Sequence, residues 1–220
     1  MINRFLFVSL LVSSCIACTA QIASHANPAT SVSPQAVPVK QSSTAPAKTT
    51  TIQVNGKPQT IPLDLVQTPY FSTYLPIDRF VLDKSSKDNN VKFLWKRAAG
   101  TKDGNYVVAI SFYPKNTSLG SLKETIDGLA LASLGTRKVE QSPEIDDAKK
   151  KYSSWLRDVT QVEVKSNPNV ADEEGYVTAY YGEVNGQVFT IVSGSALQGR
   201  DEFAAREAII LENLKLKKQG

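Results

Sequence analysis

The chain has 220 residues, 41% apolar and 21% charged, which suits one globular domain or two small ones. Its formal net charge is +4, and loss of Arg4 with a leader leaves 24 basic against 21 acidic side chains, a net +3. So small an excess, with no Lys/Arg face interleaved with aromatics, speaks against nucleic acid as a partner. The runs Lys149-Lys150-Lys151 and Lys215-Leu216-Lys217-Lys218 lie near Asp146, Asp147 and Glu212 and read as solvated helix faces.

Residues 1–20 read as an export leader. Arg4 supplies a basic start, Phe5 to Val12 (FLFVSLLV) a short apolar run, and small residues follow. The apolar run is too short for a bilayer, which takes about 20 residues. Two cysteines stand where the leader ends. Val12-Ser13-Ser14-Cys15 resembles the lipobox of bacterial lipoproteins, an aliphatic residue and two small ones before the cysteine. Cys15-Ile16-Ala17-Cys18 is the alternative, with Cys18 as the acceptor. The resemblance implies that the thiol takes a diacylglycerol before the leader is cut. It also implies the outer membrane, facing the periplasm, because Ile16 or Thr19 stands where Asp would favour inner-membrane retention. An ordinary secretory leader, cut after Ala20 or Ala26, would instead give a soluble periplasmic or secreted protein. Several acyl chains hold a protein firmly, and no later stretch is apolar enough to span a membrane.

Residues 21–50 are rich in Ala, Ser, Thr, Pro, Gln and Val, and Pro28, Pro34, Pro38 and Pro46 interrupt any regular element. Such a segment buries too little apolar area to offset its ordering entropy, so a disordered tether is expected. Thirty residues span at most about 100 Å extended and about 30 Å as a coil.

From Thr51 to Gly220 the pattern is that of a single α+β domain. Thr51–Val54, Asn55-Gly56 and the stretch to Leu63 form a hairpin with a type I′ turn, and residues 51–67 could be an appendage. Strands are expected at 70–75, 91–98 and 105–113, the last two joined at Asp103-Gly104. Ser121-Leu-Lys-Glu124 has the form of a capping box and opens a helix carrying Leu122, Ile126, Leu129 and Leu134 up to Gly135. Ser142-Pro143 caps a second helix running to about Trp155. Strands follow at 158–165, 175–184 and 187–193, with Asn185-Gly186 between the last two. A final helix over 201–216 sets Phe203, Ile210, Leu211 and Leu214 on one stripe.

Adjacent strands joined by tight turns make an antiparallel sheet, which the helices must cover. The segments YFSTYLP, NYVVAISFYP, GYVTAYYGEVNGQVFTIVSG and the closing helix near LENLKL resemble, in order and spacing over residues 68–216, the PsbP/DcrB-like fold. The resemblance implies an α/β/α sandwich and a non-enzymatic accessory or assembly role on membranes. It carries no functional residue across.

The reactive inventory is short. His25 is the one histidine and sits in the tether; Cys15 and Cys18 belong to the leader region, and the sole methionine is Met1. The domain therefore lacks the side chains of zinc, copper and haem sites, of cysteine nucleophiles and of Ser-His-Asp triads. No cofactor and no resident metal are expected. Carboxylates remain: Glu144, Asp146 and Asp147 at a helix start, and Asp172, Glu173 and Glu174 before a strand. The first group suits a helix dipole, and the second lacks the spacing of a calcium loop. Gly194 to Asp201 (GSALQGRD) has a superficial likeness to a phosphate loop, but Arg200 and Asp201 replace its Lys and Ser/Thr, so no nucleotide is expected. Aromatics fall in the strands. Tyr180 and Tyr181 must point to opposite faces, and an outward set of Trp95, Tyr180 and Tyr181 could form a partner surface, with core packing as the default.

Three functions compete. A non-catalytic envelope lipoprotein that binds an envelope protein would show an exposed patch and no deep polar cleft. A small-ligand or lipid carrier would show an apolar cavity between sheet and helices. A carboxylate-dependent hydrolase would bring two acids together in a pocket.

Overall fold

In the computed structural model, residues 40–41, 48–96, 106–134, 137–139, 142–164 and 174–217 are described. The leader with Cys15 and Cys18, His25, most of the tether, the Asp103-Gly104 turn, Asp172 and Glu173 lie outside them.

Two Asn-Gly pairs fix the hairpins. Asn55 and Gly56 have φ of 51° and 71°, and Asn185 and Gly186 have 50° and 71°. Both central residues are left-handed, the requirement of a type I′ turn, whose twist matches the strands it joins. The first turn pairs β2 (Lys48–Val54) with β3 (Lys57–Gln67). The second pairs β10 (Gly175–Val184) with β11 (Gln187–Ala196).

The strands form two antiparallel sheets. In the smaller, β3 pairs with β1 (Lys40–Gln41) and β2, and with β4 (Phe71–Pro76), which pairs in turn with β12 (Lys215–Leu216). The larger has seven strands in the order β5 (Phe80–Leu82), β6 (Asn90–Trp95), β7 (Val107–Phe112), β11, β10, β9 (Leu156–Val164), β8 (Arg137–Val139). With helices α1 (Leu119–Leu134), α2 (Pro143–Lys151) and α3 (Arg200–Glu212), this is an α+β fold dominated by antiparallel strands.

Alternation along the large sheet builds two separate cores. One face sends Phe93, Ile110, Phe189, Ile191 and Tyr180 into the main core, with Ile145 of α2 and Phe203 and Ile210 of α3. The other face sends Tyr113, Ala179, Tyr181 and Val188 against Leu122 and Ile126 of α1. The small sheet closes over the far side of α3, where Ile61 and Leu63 meet Ile209. Thr73 of β4 also donates its hydroxyl to the Ile210 carbonyl at 2.6 Å. α3 is therefore wedged between two sheets. Its buried residues, Phe203, Arg206, Glu207, Ile209, Ile210 and Leu211, go nearly round the helix instead of forming one stripe.

Several boundaries move from their expected places. β1 and the start of β2 fall inside residues 21–50, so the tether reading fails at Lys40–Gln41 and Lys48–Thr50. Pairing with β3 supplies hydrogen bonds there that composition does not reveal. The 51–67 hairpin is not an appendage, because β3 continues into pairing with β4 and buries Leu63 and Val66. α1 begins two residues before Ser121. Ser118 is its cap, with the Ser118 hydroxyl accepting from the Ser121 amide at 3.4 Å, so the capping box at Ser121 is not used. Ser142 does cap α2, accepting from the Ile145 amide at 3.2 Å. That helix stops at Lys151 instead of near Trp155, because the chain turns to let Trp155 pack on Phe189. The closing helix ends at Glu212, and Lys215-Leu216 join β4 as a strand.

Candidate functional site

The three aromatics of the expected partner surface are not presented on an open face. Tyr181 is fully buried beneath α1 and Tyr180 is buried on the opposite face, as the alternation requires. Trp95 is half-buried, edge-on to Phe80 at 5.1 Å and flanked by the Arg79 and Arg206 guanidinium groups, each 5.8 Å from its ring. The rings do core work, and in this structure the two tyrosines are unavailable to a partner. Among the described residues the exposed large hydrophobics are Val81 and Leu197, which stand singly.

A polar cluster sits where α1 crosses β9 and β10. Asp127 accepts from the Tyr181 hydroxyl at 2.7 Å, the Thr160 hydroxyl at 3.0 Å and the Lys123 ammonium at 2.7 Å. Lys123 also reaches Asp158 at 3.6 Å, and Lys149 of α2 reaches Asp158 at 3.2 Å. Burial and the Asp127 hydrogen bond push the Tyr181 hydroxyl well above its ordinary range, so it stays a donor. Burial opposes the Lys123 charge, but Asp127 and Asp158 more than offset it and the ammonium is held up. Burial likewise opposes the Asp158 charge. The Val159 amide and the two lysines outweigh it and hold the carboxyl below its usual value. Beside this cluster is a cavity of about 30 Å³, floored by small residues such as Ser111, Thr160, Ala179 and Thr190 and roofed by Ile126 and Ala130.

A second cluster lies on the other face of the large sheet. Glu207 of α3 is buried against Tyr180, whose hydroxyl donates to it at 3.3 Å, and against the Ser193 hydroxyl. Burial pushes its carboxyl up; the Ser193 and Tyr180 hydrogen bonds and the Arg200 charge offset only part of that. Above it, two ion pairs hold α2 beside α3: Arg200 with Glu144 at 3.5 Å, and Lys151 with Glu212.

The buried acid has a testable pH signature. Below the unfolded-state value, about 4.3 for a glutamate, folded and unfolded chains both carry the proton. Above it the unfolded chain loses the proton first, so Glu207 removes stability as pH rises toward its raised folded value. Glu207→Gln abolishes this titration. The Tm of the variant minus that of the native chain is expected to grow between pH 4 and pH 8, reaching roughly 2–4 °C if the acid costs about 1 kcal/mol. Any fixed effect of the amide shifts the difference without changing its slope. A difference constant with pH would show that Glu207 titrates as an ordinary glutamate.

Among the described residues, the acids singled out in the sequence do not converge. Glu144 is held below its usual value first by its own backbone amide and then by Ser142 and Arg200, against a smaller opposing effect of burial. Asp146 and Asp147 are exposed on α2, and Glu174 is exposed just before β10. Among the described residues, no group of three His, Cys, Asp or Glu could hold a metal ion. In the GSALQGRD segment, Gly194 to Ala196 belong to β11 and Gly199, at φ 79°, starts α3. The Tyr106 hydroxyl donates to the Gln198 carbonyl, so the segment serves as a pinned strand-to-helix turn.

Asp127, Glu207 and Arg206 were not legible as site residues. Glu207 left one signal: it falls at helical spacing between Phe203 and Ile210, inside the apolar stripe. Asp127 left only its four-residue spacing from Lys123, which reads as an ordinary helix-surface pair, since its partners Tyr181 and Thr160 come from distant strands. No family model matches the chain, and neither curated proteins nor solved structures give a significant match.

Proposed function

We propose that the chain is a non-catalytic, lipid-anchored protein of the bacterial cell envelope whose domain, of PsbP/DcrB-like type, binds a protein partner or supports an envelope assembly. The anchor is a lipidated Cys15, with Cys18 as the alternative, and the place is the outer membrane facing the periplasm. The PsbP/DcrB-like reading draws support from an antiparallel sheet with helices on both faces and from the β10–β11 hairpin preceding the closing helix. The small sheet over α3 is an addition to a plain α/β/α sandwich.

One observation carries the non-catalytic reading: among the described residues, the perturbed carboxylates and Lys123 are already engaged by their own fold. Glu207 is sealed beneath α3 with Tyr180 and Ser193. Where two acids share a cation, at Asp127 and Asp158 and at Asp78 and Glu202, the Lys123 ammonium and the Arg206 guanidinium respectively stand with them. A glycosidase-type pair needs one acid raised and facing a cleft, whereas Asp158 is held low.

The cavity under α1 favours a second reading, a carrier of a small apolar ligand. Ligand pockets run to about 300–1,000 Å³, so a cavity of about 30 Å³ requires α1 to lift before anything larger than water enters. That places it second.

Mass spectrometry of the mature N-terminus tests the anchor. The expected first residue is Cys15 or Cys18 carrying diacylglycerol and an amide-linked acyl chain; an unmodified start at Gln21 or Asn27 overturns it. Crosslinking of the tagged chain in envelope extract tests the partner, and failure to enrich any envelope protein over a tag-only control counts against it.

A further inference from the structure

The edges of the two sheets differ in length. Among the described residues, the large sheet ends in β5 and β8, three residues each, and the small sheet ends on one side in β12, two residues. Short edge strands are one way folds avoid unwanted pairing. On its other side the small sheet presents two strands along different stretches of β3: β1, two residues, and β2, seven residues long, containing no proline and paired only to β3 among the described residues.

The register shows what this edge offers. Val54 and Lys57 close the two-residue turn, so Val54, Ile52, Thr50 and Lys48 exchange hydrogen bonds with β3. Gln53, Thr51 and Thr49 therefore turn their N–H and C=O groups outward. The prolines of β3 fit this pattern: Pro58 and Pro62 lie opposite Gln53 and Thr49, where β2 asks nothing of their missing N–H.

Beside the edge runs a groove of about 190 Å³ between β2 and α3. Ala205 and Ala208, nearly one helical turn apart, keep its helix wall low, and Thr50 and Ile52 form the strand wall. Lys48 stands at one end. Its ammonium lies 5.2 Å from the centre of the Tyr74 ring and forms no salt bridge among the described residues, while Glu212, which also lines the groove, is paired with Lys151. A strand edge beside a helix, with a groove between, is the arrangement that takes up extended peptides by strand addition: backbone hydrogen bonds supply affinity and alternate side chains enter the groove.

We propose that β2 is a docking edge for an extended segment of a protein partner. The segment adds as a strand, exchanges backbone hydrogen bonds with Thr49, Thr51 and Gln53, sets small side chains toward Ala205 and Ala208, and places an acidic residue or a terminal carboxylate at Lys48. This rests on the partner-binding reading above and names its surface.

The test selects binders for the whole chain from a displayed library of short random peptides and measures the affinity of the synthesised winners. Binding should slow amide exchange at Thr49, Thr51 and Gln53 and weaken with added salt when the peptide carries an acid. Thr51→Pro removes an outward N–H while leaving the β2–β3 ladder intact, and should cut affinity about tenfold. Ala208→Leu fills the groove from the helix side without touching the strand and should weaken binding likewise; if Thr51→Pro fails to fold, this variant and the exchange pattern decide. Recovery of no peptide, or of peptides that bind both variants like the native chain, overturns the proposal. Crosslinking in envelope extract separates the two levels. A partner captured equally by native and Thr51→Pro chains keeps the partner reading and removes the edge, whereas no enrichment with either chain removes both.

Discussion

Arg206→Met is expected to lower the unfolding free energy by about 3 kcal/mol, and the melting temperature by roughly 10 °C. The side chain is 2% exposed, yet it carries a full charge. Asp78 takes two of its hydrogen bonds, at 2.9 and 2.7 Å, the Gln59 side chain a third at 3.0 Å, and the Glu202 carbonyl a fourth at 3.1 Å. These partners come from the small sheet, the turn after β4 and α3, so one guanidinium ties three parts of the fold together. Methionine fills similar volume but leaves Asp78 without its counter-charge. The Oδ1 atom of Asp78 is already buried without a hydrogen-bond partner, so the carboxylate depends on Arg206 for tolerance. Because Asp78 keeps 24% exposure, the lower end of the range for broken buried pairs applies. Urea denaturation of Arg206→Met, Asp78→Asn and the double variant should show a coupling above about 1 kcal/mol, the double variant losing less than the sum. Strict additivity would mean that the two charges are screened from each other.

The parts of this fold that could be read from the sequence are those set by local chemistry. Asn55-Gly56 and Asn185-Gly186 announce their turns because few other pairs accept two left-handed residues in succession. Ser142-Pro143 announces α2 because the serine hydroxyl and the fixed proline φ both favour a helix start. The strands β1, β5, β8 and β12, two or three residues each, are too short to show any period and exist only through their partners. α3 illustrates the same limit. Its stripe of Phe203, Ile210 and Leu211 is legible, but burial of Ile209 and Arg206 on the opposite side depends on a second sheet lying there. Charge marks Arg206 as a surface residue until Asp78 and Gln59, both more than a hundred positions away, surround it. The candidate surfaces follow suit: the long edge of β2 is visible as a strand, whereas its lack of an outer neighbour among the described residues and its groove against Ala205 and Ala208 are tertiary facts.

Gly182→Ala is expected to cost about 3 kcal/mol, the upper end for one added methyl group in a packed core. A β-carbon on Gly182 would stand 2.3 Å from the Phe189 ring tip and under 3 Å from two further ring atoms. The two residues are direct partners across β10 and β11. Phe189 is fully buried between Phe112 at 5.1 Å and Trp155 at 5.5 Å, so its ring has nowhere to go. Gly182 is also paired on both sides, with Leu156 of β9 just past a register shift and with Phe189 of β11, so its backbone is held from either neighbour. The same substitution at Gly128, an exposed position in α1 where a β-carbon would meet nothing within 4 Å, should instead stabilise the chain by about 1 kcal/mol, because alanine favours helix over glycine. The opposite signs separate steric conflict from a general response to alanine. The conflict itself is tested in a Phe189→Leu background. There the smaller side chain vacates the ring position, and adding Gly182→Ala should cost less than about 1 kcal/mol in chemical denaturation. A penalty unchanged by removal of the ring would place the cost of Gly182→Ala in the β10 backbone and leave Phe189 out of it.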